Sequence, residues 1–395
     1  MKKRILFIIS DTGGGHRSAA KAIIAGLREL RINVDCEMID LLRASHLPGI
    51  CNAPEIYSFF STRHIWIYNL IFRLSNFSGY MNWASNLLYR FARDHIRQAI
   101  NTYNPHLVVV IHPLAVRPVC NYRDETGADW PILTVVTDLA SIHASWATPR
   151  ADLFLLPTWQ AFQRFRQLGV PEQKIIVTGF PIHPRFTNIS LNQTEARQQL
   201  GLPADGFIVL LTSGGAGGGP LKGLVEQIEH HCPECILLAV TGRNQATFSL
   251  LKERADSPQK TIIFQFVDNM ELLMVAADVV VTKAGPGTIM EAACLQRPLI
   301  LTGAVGLQEE GNLDFVTENG WGYSCITPAA VVEKIEEIKS RQNIHKSLSL
   351  LPSAVSGTQM IVNTLLDAMN NKLEHSPDSP STTGGNHHDF SFKRD

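Results

Sequence analysis

Short runs of apolar residues alternate with longer amphipathic segments along most of the chain. In the first half the runs read RILFIIS, LVVVIH, ILTVVTD, ADLFLLP and IIVTGFP, and in the second half FIVLLTS, CILLAVTG, TIIFQFV, ADVVVTK and RPLILTG. Each run is rich in Val, Ile and Leu, and its polar residues lie mostly at its carboxyl end. Strands of this kind are buried on both faces, as in parallel sheets covered by helices. The pattern therefore predicts two doubly wound α/β domains.

The connection between the two sets of runs predicts the domain boundary. The segment GFPIHPRFTNISLNQTEARQQLGLP contains Pro181 and Pro184, which interrupt regular structure. We expect an N-terminal domain over residues 1–185 and a C-terminal domain over 186–372, with a last helix that can cross back to the first domain. The segment 373–395 has little to bury, so we expect a disordered tail.

Composition narrows the classes of partner. The 395 residues are 45% hydrophobic and 18% charged, which is enough apolar material for two cores, and the formal net charge of -1 gives no global attraction to nucleic acid.

No run of about 18 uncharged apolar residues exists, so we expect no membrane-spanning helix. The short basic start lacks the features of a signal peptide, and the scattered cysteines suit a reducing compartment. We expect a cytoplasmic protein, free or peripheral on a membrane surface.

Two of the seven cysteines, Cys232 and Cys235, form the sequence CPEC just after His230 and His231. A single pair with this spacing is a weak indication of a zinc or redox site, and no second pair accompanies it. We interpret it as a loop before the strand Ile236–Val240.

The segment SDTGGGHRSAAKAI follows the first predicted strand. Ligands of parallel sheets bind beyond the carboxyl ends of the strands, where Gly14 and Gly15 let backbone amides approach a ligand and a helix N-terminus favours an anion. His16 opens that helix and is a candidate general base. Two alternatives stay open: a histidine that only caps the turn, and a dinucleotide site, whose fingerprint fails at Ser18.

A second glycine-rich loop, LLTSGGAGGGPLKG, follows a strand in the second half. It lacks the Gly-Lys-Ser/Thr ending of a P-loop, but its amides suit a pyrophosphate. The candidate contacts are Ser213, Gly214, Gly215, Gly217 and Gly218.

The segment AGPGTIMEAACLQRP completes the candidate nucleotide site. Gly285, Gly287 and Thr288 offer donors to phosphate at a helix start. Glu291 lies one helical turn beyond Thr288, where a carboxylate can hold both ribose hydroxyls. Two such loops in one domain indicate a nucleoside diphosphate.

These motifs resemble those of the monogalactosyldiacylglycerol synthase and processive diacylglycerol glucosyltransferase group, within the glycosyltransferase family that also holds the peptidoglycan lipid-intermediate transferase. The matching segments are SDTGGGHRSAAKAI, VVTDLASIHASWATPRAD, VTGFPIHPRF, LLTSGGAGGGPL, VTGRN, AGPGTIMEAACLQRPLILTG and QEEGN. The resemblance implies two Rossmann-like domains facing a cleft, the GT-B fold. It also implies inverting, metal-independent transfer of galactose or glucose from a UDP-sugar to 1,2-diacylglycerol, with no cofactor.

The resemblance also assigns roles to single residues. His16 matches the base on the acceptor hydroxyl, and the loop from Gly214 to Gly219 matches the diphosphate contact. Thr288 and Glu291 match the family's contacts to phosphate and ribose, and Gln308 and Glu309 match the segment near the donor sugar. The backbone at Phe266 and Val267 matches the strip that holds uracil, and Arg243 lies in the segment beside the nucleotide.

Asp138 follows a strand of the first domain. It can orient His16 or contact the acceptor, and an equally open reading is that it caps a helix. No Asp-x-Asp motif stands at a strand end to hold a metal, so glycine amides and a helix N-terminus must neutralise the diphosphate.

Residues 55–97 combine many aromatic side chains with five arginines and only two acids. This composition suits the headgroup layer of an anionic membrane, with Arg63, Trp66 and Arg73 as candidate contacts.

Other functions remain open: transfer to another lipid or alcohol, an NAD-dependent oxidoreductase, or a non-catalytic nucleotide-sugar-binding protein. The sequence does not decide between galactose and glucose.

Overall fold

The structure is a computed structural model that describes residues 2–11, 14–44, 64–76, 78–215, 217, 221–253, 261–340 and 356–370. The roles predicted for Arg63 and Gly218, and the tail predicted over 373–395, lie outside the described residues.

The first half of the chain forms a six-stranded, wholly parallel sheet. Its strands are β1 (Lys3–Ile9), β2 (Val34–Asp40), β3 (Leu107–Val110), β4 (Ile132–Val135), β5 (Leu153–Leu156) and β6 (Ile175–Val177), in the order β2-β1-β3-β4-β5-β6. The four residues of β3 and of β4 are all buried, as expected for strands covered on both faces. The strand order reverses between β1 and β3, which places a crevice at their carboxyl ends.

Helices cover both faces of this sheet. They are α1 (Gly15–Glu29), α2 (Leu41–Ala44), α3 (Ile65–Ser75), α4 (Ser78–Tyr103), α5 (Pro113–Thr126), α6 (Trp159–Gln167) and α7 (Pro184–Thr187), with single 3-10 turns at Ala144–Trp146 and Glu172–Lys174. Helix α1 begins where Gly14 takes a left-handed φ of +81°, a conformation that glycine adopts without strain.

The second half forms another six-stranded parallel sheet. Its strands are β7 (Ile208–Thr212), β8 (Ile236–Val240), β9 (Thr261–Phe264), β10 (Val279–Thr282), β11 (Leu299–Leu301) and β12 (Gly322–Ser324), in the order β12-β11-β10-β7-β8-β9. Its helices are α8 (Gln193–Gln199), α9 (Leu221–His231), α10 (Gln245–Lys252), α11 (Met270–Ala276), α12 (Pro286–Cys294), α13 (Gly306–Glu318) and α14 (Pro328–Ser340). This order is that of a Rossmann domain, with the reversal between β7 and β10.

The last described helix, α15 (Thr358–Met369), returns to the first sheet. Ile361, Val362 and Leu365 are buried in the core that β1, β3 and α1 share. A Cβ at Gly26 on α1 would lie 2.8 Å from Thr358, so the missing side chain lets the two helices approach closely. The chain therefore ends its described part on the N-terminal half.

The predicted boundary at residue 185 falls inside α7, between β6 of the first sheet and β7 of the second. The carboxyl edges of the two sheets lie opposite each other, because residues that follow β4 hydrogen-bond to residues that open α13. The two predicted α/β halves are thus confirmed as two Rossmann-like units that share a cleft. In the described part of the chain, no helix has both the length and the hydrophobicity to cross a membrane.

Candidate active site

His16 lies at the start of α1, beyond the carboxyl end of β1, and is buried. Its Nδ1 atom lies 3.1 Å from the Oγ1 atom of Thr137, a hydrogen-bond distance. The ring also meets the ring of His112 edge-on, with centroids 4.8 Å apart. Burial lowers the pKa of His16 to about 4, although the charge of Asp11 acts in the opposite direction. The imidazole is therefore neutral near pH 7 and can accept a proton.

Asp138 is buried beside Thr137, and its hydrogen bonds go to Trp146 and Gln308. Oδ2 accepts a hydrogen bond from Trp146 Nε1 at 2.7 Å, and Oδ1 accepts one from Gln308 Nε2 at 3.3 Å. The Nδ1 atom of His16 lies at hydrogen-bond distance from Thr137, so the role of Asp138 in orienting His16 or contacting the acceptor stays a prediction without a direct contact to the ring. The turn at Ala144–Trp146 is capped by His143, not by Asp138. Burial raises the pKa of Asp138 to about 6, and the two hydrogen bonds limit the rise.

The glycine-rich loop after β7 is shaped by two positions that exclude side chains. A Cβ at Gly217, which has φ +71°, would lie 2.2 Å from the carbonyl oxygen of Thr241. A Cβ at Gly242, which has φ +61°, would lie 2.6 Å from the carbonyl oxygen of Gly214. The loop therefore packs directly on the backbone after β8. The Oγ atom of Ser213 is buried here without a hydrogen-bond partner among the described residues, so it can serve a ligand.

Arg243 connects this loop to the rest of the cleft. Its backbone N–H donates to the carbonyl oxygen of Gly215 at 3.1 Å. Its guanidinium carbon lies 5.1 Å from the centre of the exposed ring of Phe266, and Val267 beside it is half-buried. Its Nη1 atom approaches the N-terminal loop so closely that a Cβ at Gly14 would lie 3.9 Å away. Arg243 thus borders the glycine-rich loop after β1 and the glycine-rich loop after β7.

Lys283, which immediately follows β10, is a site residue that sequence reasoning missed. Its Nζ forms an ion pair with Oε1 of Glu309 at 2.5 Å, and the side chain passes 3.7 Å from the Cβ position of Gly214 and 3.3 Å from that of Gly285. Glu309 is buried, and its Oε2 accepts the N–H of Val305 at 2.9 Å. The sequence feature that could have identified Lys283 is its position directly after β10, the strand that pairs with β7.

Helix α12 begins at this same edge, with Gly285 as its N-cap and Pro286 in its first turn. The N-terminal amides of a helix attract anions, and Gly287 and Thr288 lie in this first turn. Glu291 lies one turn further and is half-buried. Burial raises the pKa of Glu291 to about 7, a rise that Arg185 reduces and Glu271 increases.

Gln308 joins three parts of the protein at the mouth of the cleft. Its Oε1 accepts the hydroxyl hydrogen of Tyr68 at 2.6 Å, while its amide donates to Asp138. Asn69 Oδ1 accepts the N–H of Leu307 at 2.9 Å. Helix α3 is thereby attached to α13 of the other half. Gln308 lies at the cleft, and its contact with the donor sugar stays a prediction. Its hydrogen bond to α3 could not be expected from the sequence.

The opposite face of α3 is apolar and exposed. The exposed side chains of this face are Trp66, Leu70, Ile71 and Leu74, and Ile65 is exposed at the start of the helix. Trp66 is 66% exposed, and Arg73 on the same helix is also exposed. Large apolar side chains that stay in contact with water over a whole helix face mark an interaction surface.

These groups fall into two sets on facing edges. The N-terminal edge presents a neutral histidine, and the C-terminal edge presents two glycine-rich loops, a lysine and a helix N-terminus. Two Rossmann-like domains that face each other across such a cleft define the GT-B glycosyltransferase fold.

Comparison with known families agrees with this fold. Residues 16–182 match the monogalactosyldiacylglycerol (MGDG) synthase model, and residues 208–351 match the glycosyltransferase family 28 C-terminal domain. The chain therefore belongs to the MGDG synthase group of the family 28 glycosyltransferases.

Individual relatives give the same result. The chain is 30% identical to a probable chloroplastic monogalactosyldiacylglycerol synthase of Glycine max, over 85% of this chain and 65% of the relative. It is also 30% identical to monogalactosyldiacylglycerol synthase 1 of Arabidopsis thaliana, over 83% of this chain and 63% of the relative. The chain thus spans slightly less than two thirds of the length of these two enzymes.

Solved structures resemble the protein in fold alone. The UDP complex of S. aureus MnaA superposes with a TM-score of 0.62 at 15% identity, covering 97% of this chain and 100% of that one. Acinetobacter baumannii MurG superposes with a TM-score of 0.56 at 14% identity, covering 92% and 99%.

Proposed function

We propose that this protein transfers a hexose, galactose or glucose, from a UDP-sugar to the free hydroxyl of 1,2-diacylglycerol at a membrane surface, with inversion at the anomeric carbon. The proposal rests chiefly on one observation: a buried, neutral His16 lies across the cleft from the glycine-rich loop after β7, Lys283 and the first turn of α12. Family membership supports the reaction class, since both relatives described above are named as monogalactosyldiacylglycerol synthases.

The proposed reaction is a single displacement. With its ring hydrogen on Nδ1 and donated to Thr137, His16 keeps a lone pair on Nε2. Nε2 takes the proton of the acceptor hydroxyl while the acceptor oxygen bonds to the anomeric carbon. The bond from that carbon to the phosphate oxygen breaks, and its electron pair leaves with UDP. One displacement from the face opposite the leaving group inverts the configuration.

Departure of UDP needs stabilisation of charge on the diphosphate. In this proposal the glycine loop after β7, the first turn of α12 and the ammonium group of Lys283 supply it. Glu309 fixes the lysine at this place through their ion pair. These groups carry out the work that a bound divalent cation performs in other enzymes. We therefore propose that the transfer step needs neither a metal nor a cofactor.

The nucleoside occupies the outer part of the same edge in this proposal. The backbone at Phe266 and Val267 holds uracil, Arg243 borders the nucleotide, and Glu291 accepts hydrogen bonds from the ribose hydroxyls. UDP is bound in a solved neighbour with the same fold, S. aureus MnaA. That likeness supports a uridine nucleotide here, together with the two glycine-rich loops.

The acceptor reaches the cleft from a membrane. We propose that the exposed apolar face of α3 enters the lipid surface, with Arg73 near anionic headgroups. Because α3 is bonded to α13 through Tyr68 and Gln308, a membrane-bound helix would lie directly at the mouth of the cleft. The protein would then work as a peripheral enzyme on the cytoplasmic side of a membrane.

Product analysis tests this proposal. Purified protein is incubated with vesicles of diacylglycerol in phosphatidylglycerol, and with UDP-galactose or UDP-glucose in turn. We expect one of the two donors to give monohexosyldiacylglycerol whose anomeric configuration, determined by NMR, is β. A sterol and a soluble alcohol serve as alternative acceptors. Preferred transfer to either of these, or an α-linked product, would contradict the proposal.

A further inference from the structure

Three potential metal ligands from two distant segments of the chain meet at the other end of the second sheet. Cys232 follows α9, Cys235 immediately precedes β8, and Glu336 lies on α14. Both cysteines are buried, and Glu336 is half-buried. The two Sγ atoms and a carboxylate oxygen of Glu336 all lie within 4.8 Å of one another. The sequence offered only the cysteine pair, whereas the fold adds a third donor.

The carboxylate of Glu336 supplies an independent sign of a ligand. Its Oε1 atom is buried and makes no hydrogen bond of normal geometry among the described residues; the carboxylate interacts instead with the thiol of Cys232, which is itself one of the three potential ligands. Its Oε2 atom faces the other way, 3.6 Å from Nζ of Lys339. A buried carboxylate oxygen without a normal hydrogen bond is costly, and a cation placed between it and the two sulfurs would remove that cost.

We infer that Cys232, Cys235 and Glu336 form a binding site for a thiophilic divalent cation, with Zn²⁺ as the best fit. Two thiolates and a carboxylate are among the ligand types that Zn²⁺ takes in proteins, and Ca²⁺ or Mg²⁺ would require oxygen donors throughout. Three protein donors leave the fourth tetrahedral position for a water molecule or a further side chain. A disulfide between the cysteines is the competing possibility, but it would give the buried oxygen of Glu336 no partner.

The position of the site indicates a structural role. Cys232 and Cys235 precede β8, so they lie at the amino end of the sheet, whereas the cleft lies at the carboxyl end. A bound cation would connect the segment between α9 and β8 to α14. Helices α9 and α14 already pack against each other. Cation binding should therefore stabilise the second domain without taking part in transfer.

Metal titration of the full chain tests the inference. The protein is purified with a reductant, stripped with a chelator and titrated with Co²⁺, whose thiolate charge-transfer absorption reports sulfur ligation, and Zn²⁺ is then added in competition. We expect about one equivalent of each metal per chain, in line with a single site. We also expect Zn²⁺ to raise the midpoint of thermal unfolding.

Variants locate the site. Cys235→Ser should lose the charge-transfer band, and Glu336→Gln, which keeps both thiols, should weaken Zn²⁺ binding by about tenfold or more. Cys325→Ser is the matched control, since Cys325 is another buried cysteine of the same core. Absence of metal binding by the wild-type chain, wild-type affinity in Glu336→Gln, or an equal loss in Cys325→Ser would overturn the inference. Folding of each variant is checked by circular dichroism and by UDP binding.

Discussion

Replacement of Lys283 by Met tests how the protein holds the diphosphate. The side chain ends beside the glycine loop after β7 and the start of α12, and it is 28% exposed. Met keeps most of the apolar stem and removes only the charge. If Lys283 contacts the diphosphate, the variant must bind UDP more weakly and uridine equally well, because uridine lacks the phosphates.

The magnitude follows from the kind of contact. A hydrogen bond to a charged group contributes about 1.5–3 kcal/mol, which corresponds to UDP affinity lower by about tenfold to about a hundredfold. A second effect must be separated from this one. The Glu309 side chain is only 8% exposed, so removal of Lys283 leaves a nearly buried carboxylate without its partner. Breaking such a pair destabilises a protein by about 3–5 kcal/mol.

A double variant separates the two effects. Glu309→Gln in addition to Lys283→Met removes the unpaired charge, and the new amide oxygen can still accept the N–H of Val305. We expect the double variant to recover much of the free energy of unfolding, measured with denaturant, but not the UDP affinity. Isothermal titration calorimetry with UDP and with uridine gives the affinities.

The reasoning about Lys283 would be refuted by two results. Wild-type UDP affinity in the folded double variant would remove the lysine from the diphosphate site. An equal loss of UDP and uridine affinity would mean that the substitution disturbs the nucleoside contacts instead.

Three further predictions concern other parts of the site. The pKa of Glu291 is about 7 and ribose hydroxyls favour its ionised form, so UDP affinity should rise as the pH increases through 7 and level off above it. Calorimetry should show this rise, relative to UDP's own titration, in the wild type and in the surface control Glu318→Gln but not in Glu291→Gln. Transfer should persist in a chelator during a short assay, and recovery that depends on added Mg²⁺ would contradict the metal-free diphosphate site. Replacement of Trp66 and Arg73 by Ala should lower sedimentation with anionic vesicles by about tenfold at low salt, whereas Trp159→Ala, at another exposed tryptophan, should not; equal binding by all three proteins would place the membrane surface elsewhere.

The two sheets could be predicted from the sequence because their strands are buried on both faces. Runs such as LVVVIH consist of side chains that water cannot reach, so the pattern of apolar residues marks them directly. The glycine-rich loops were visible for a related reason: no other residue fits where Gly217 contacts the backbone of Thr241. Local sequence thus identified the features that depend on local sterics.

The remaining features depend on contacts between distant segments. Thr137 is the partner of His16 only because β1 and β4 belong to one sheet with the intervening β3. Lys283 resembles any surface lysine until the fold places it against Glu309. The CPEC sequence alone is a weak indication of a metal site because no second ligand pair accompanies it, and only the folded second domain brings Glu336 to the two cysteines. The spacing of residues along the chain does not predict contacts of this kind.

The most direct measurement of the central claim is single-turnover transfer by His16→Ala. The variant, in molar excess over UDP-hexose, is mixed with the donor and diacylglycerol vesicles. UDP affinity is measured on the same preparation. The account predicts that transfer slows by about two to four powers of ten while UDP affinity is unchanged. The control is His183→Asn, which keeps a side-chain acceptor for the N–H of Arg185 and should transfer at the wild-type rate. Transfer near the wild-type rate by His16→Ala, with UDP bound normally, would contradict the role of His16 as the base.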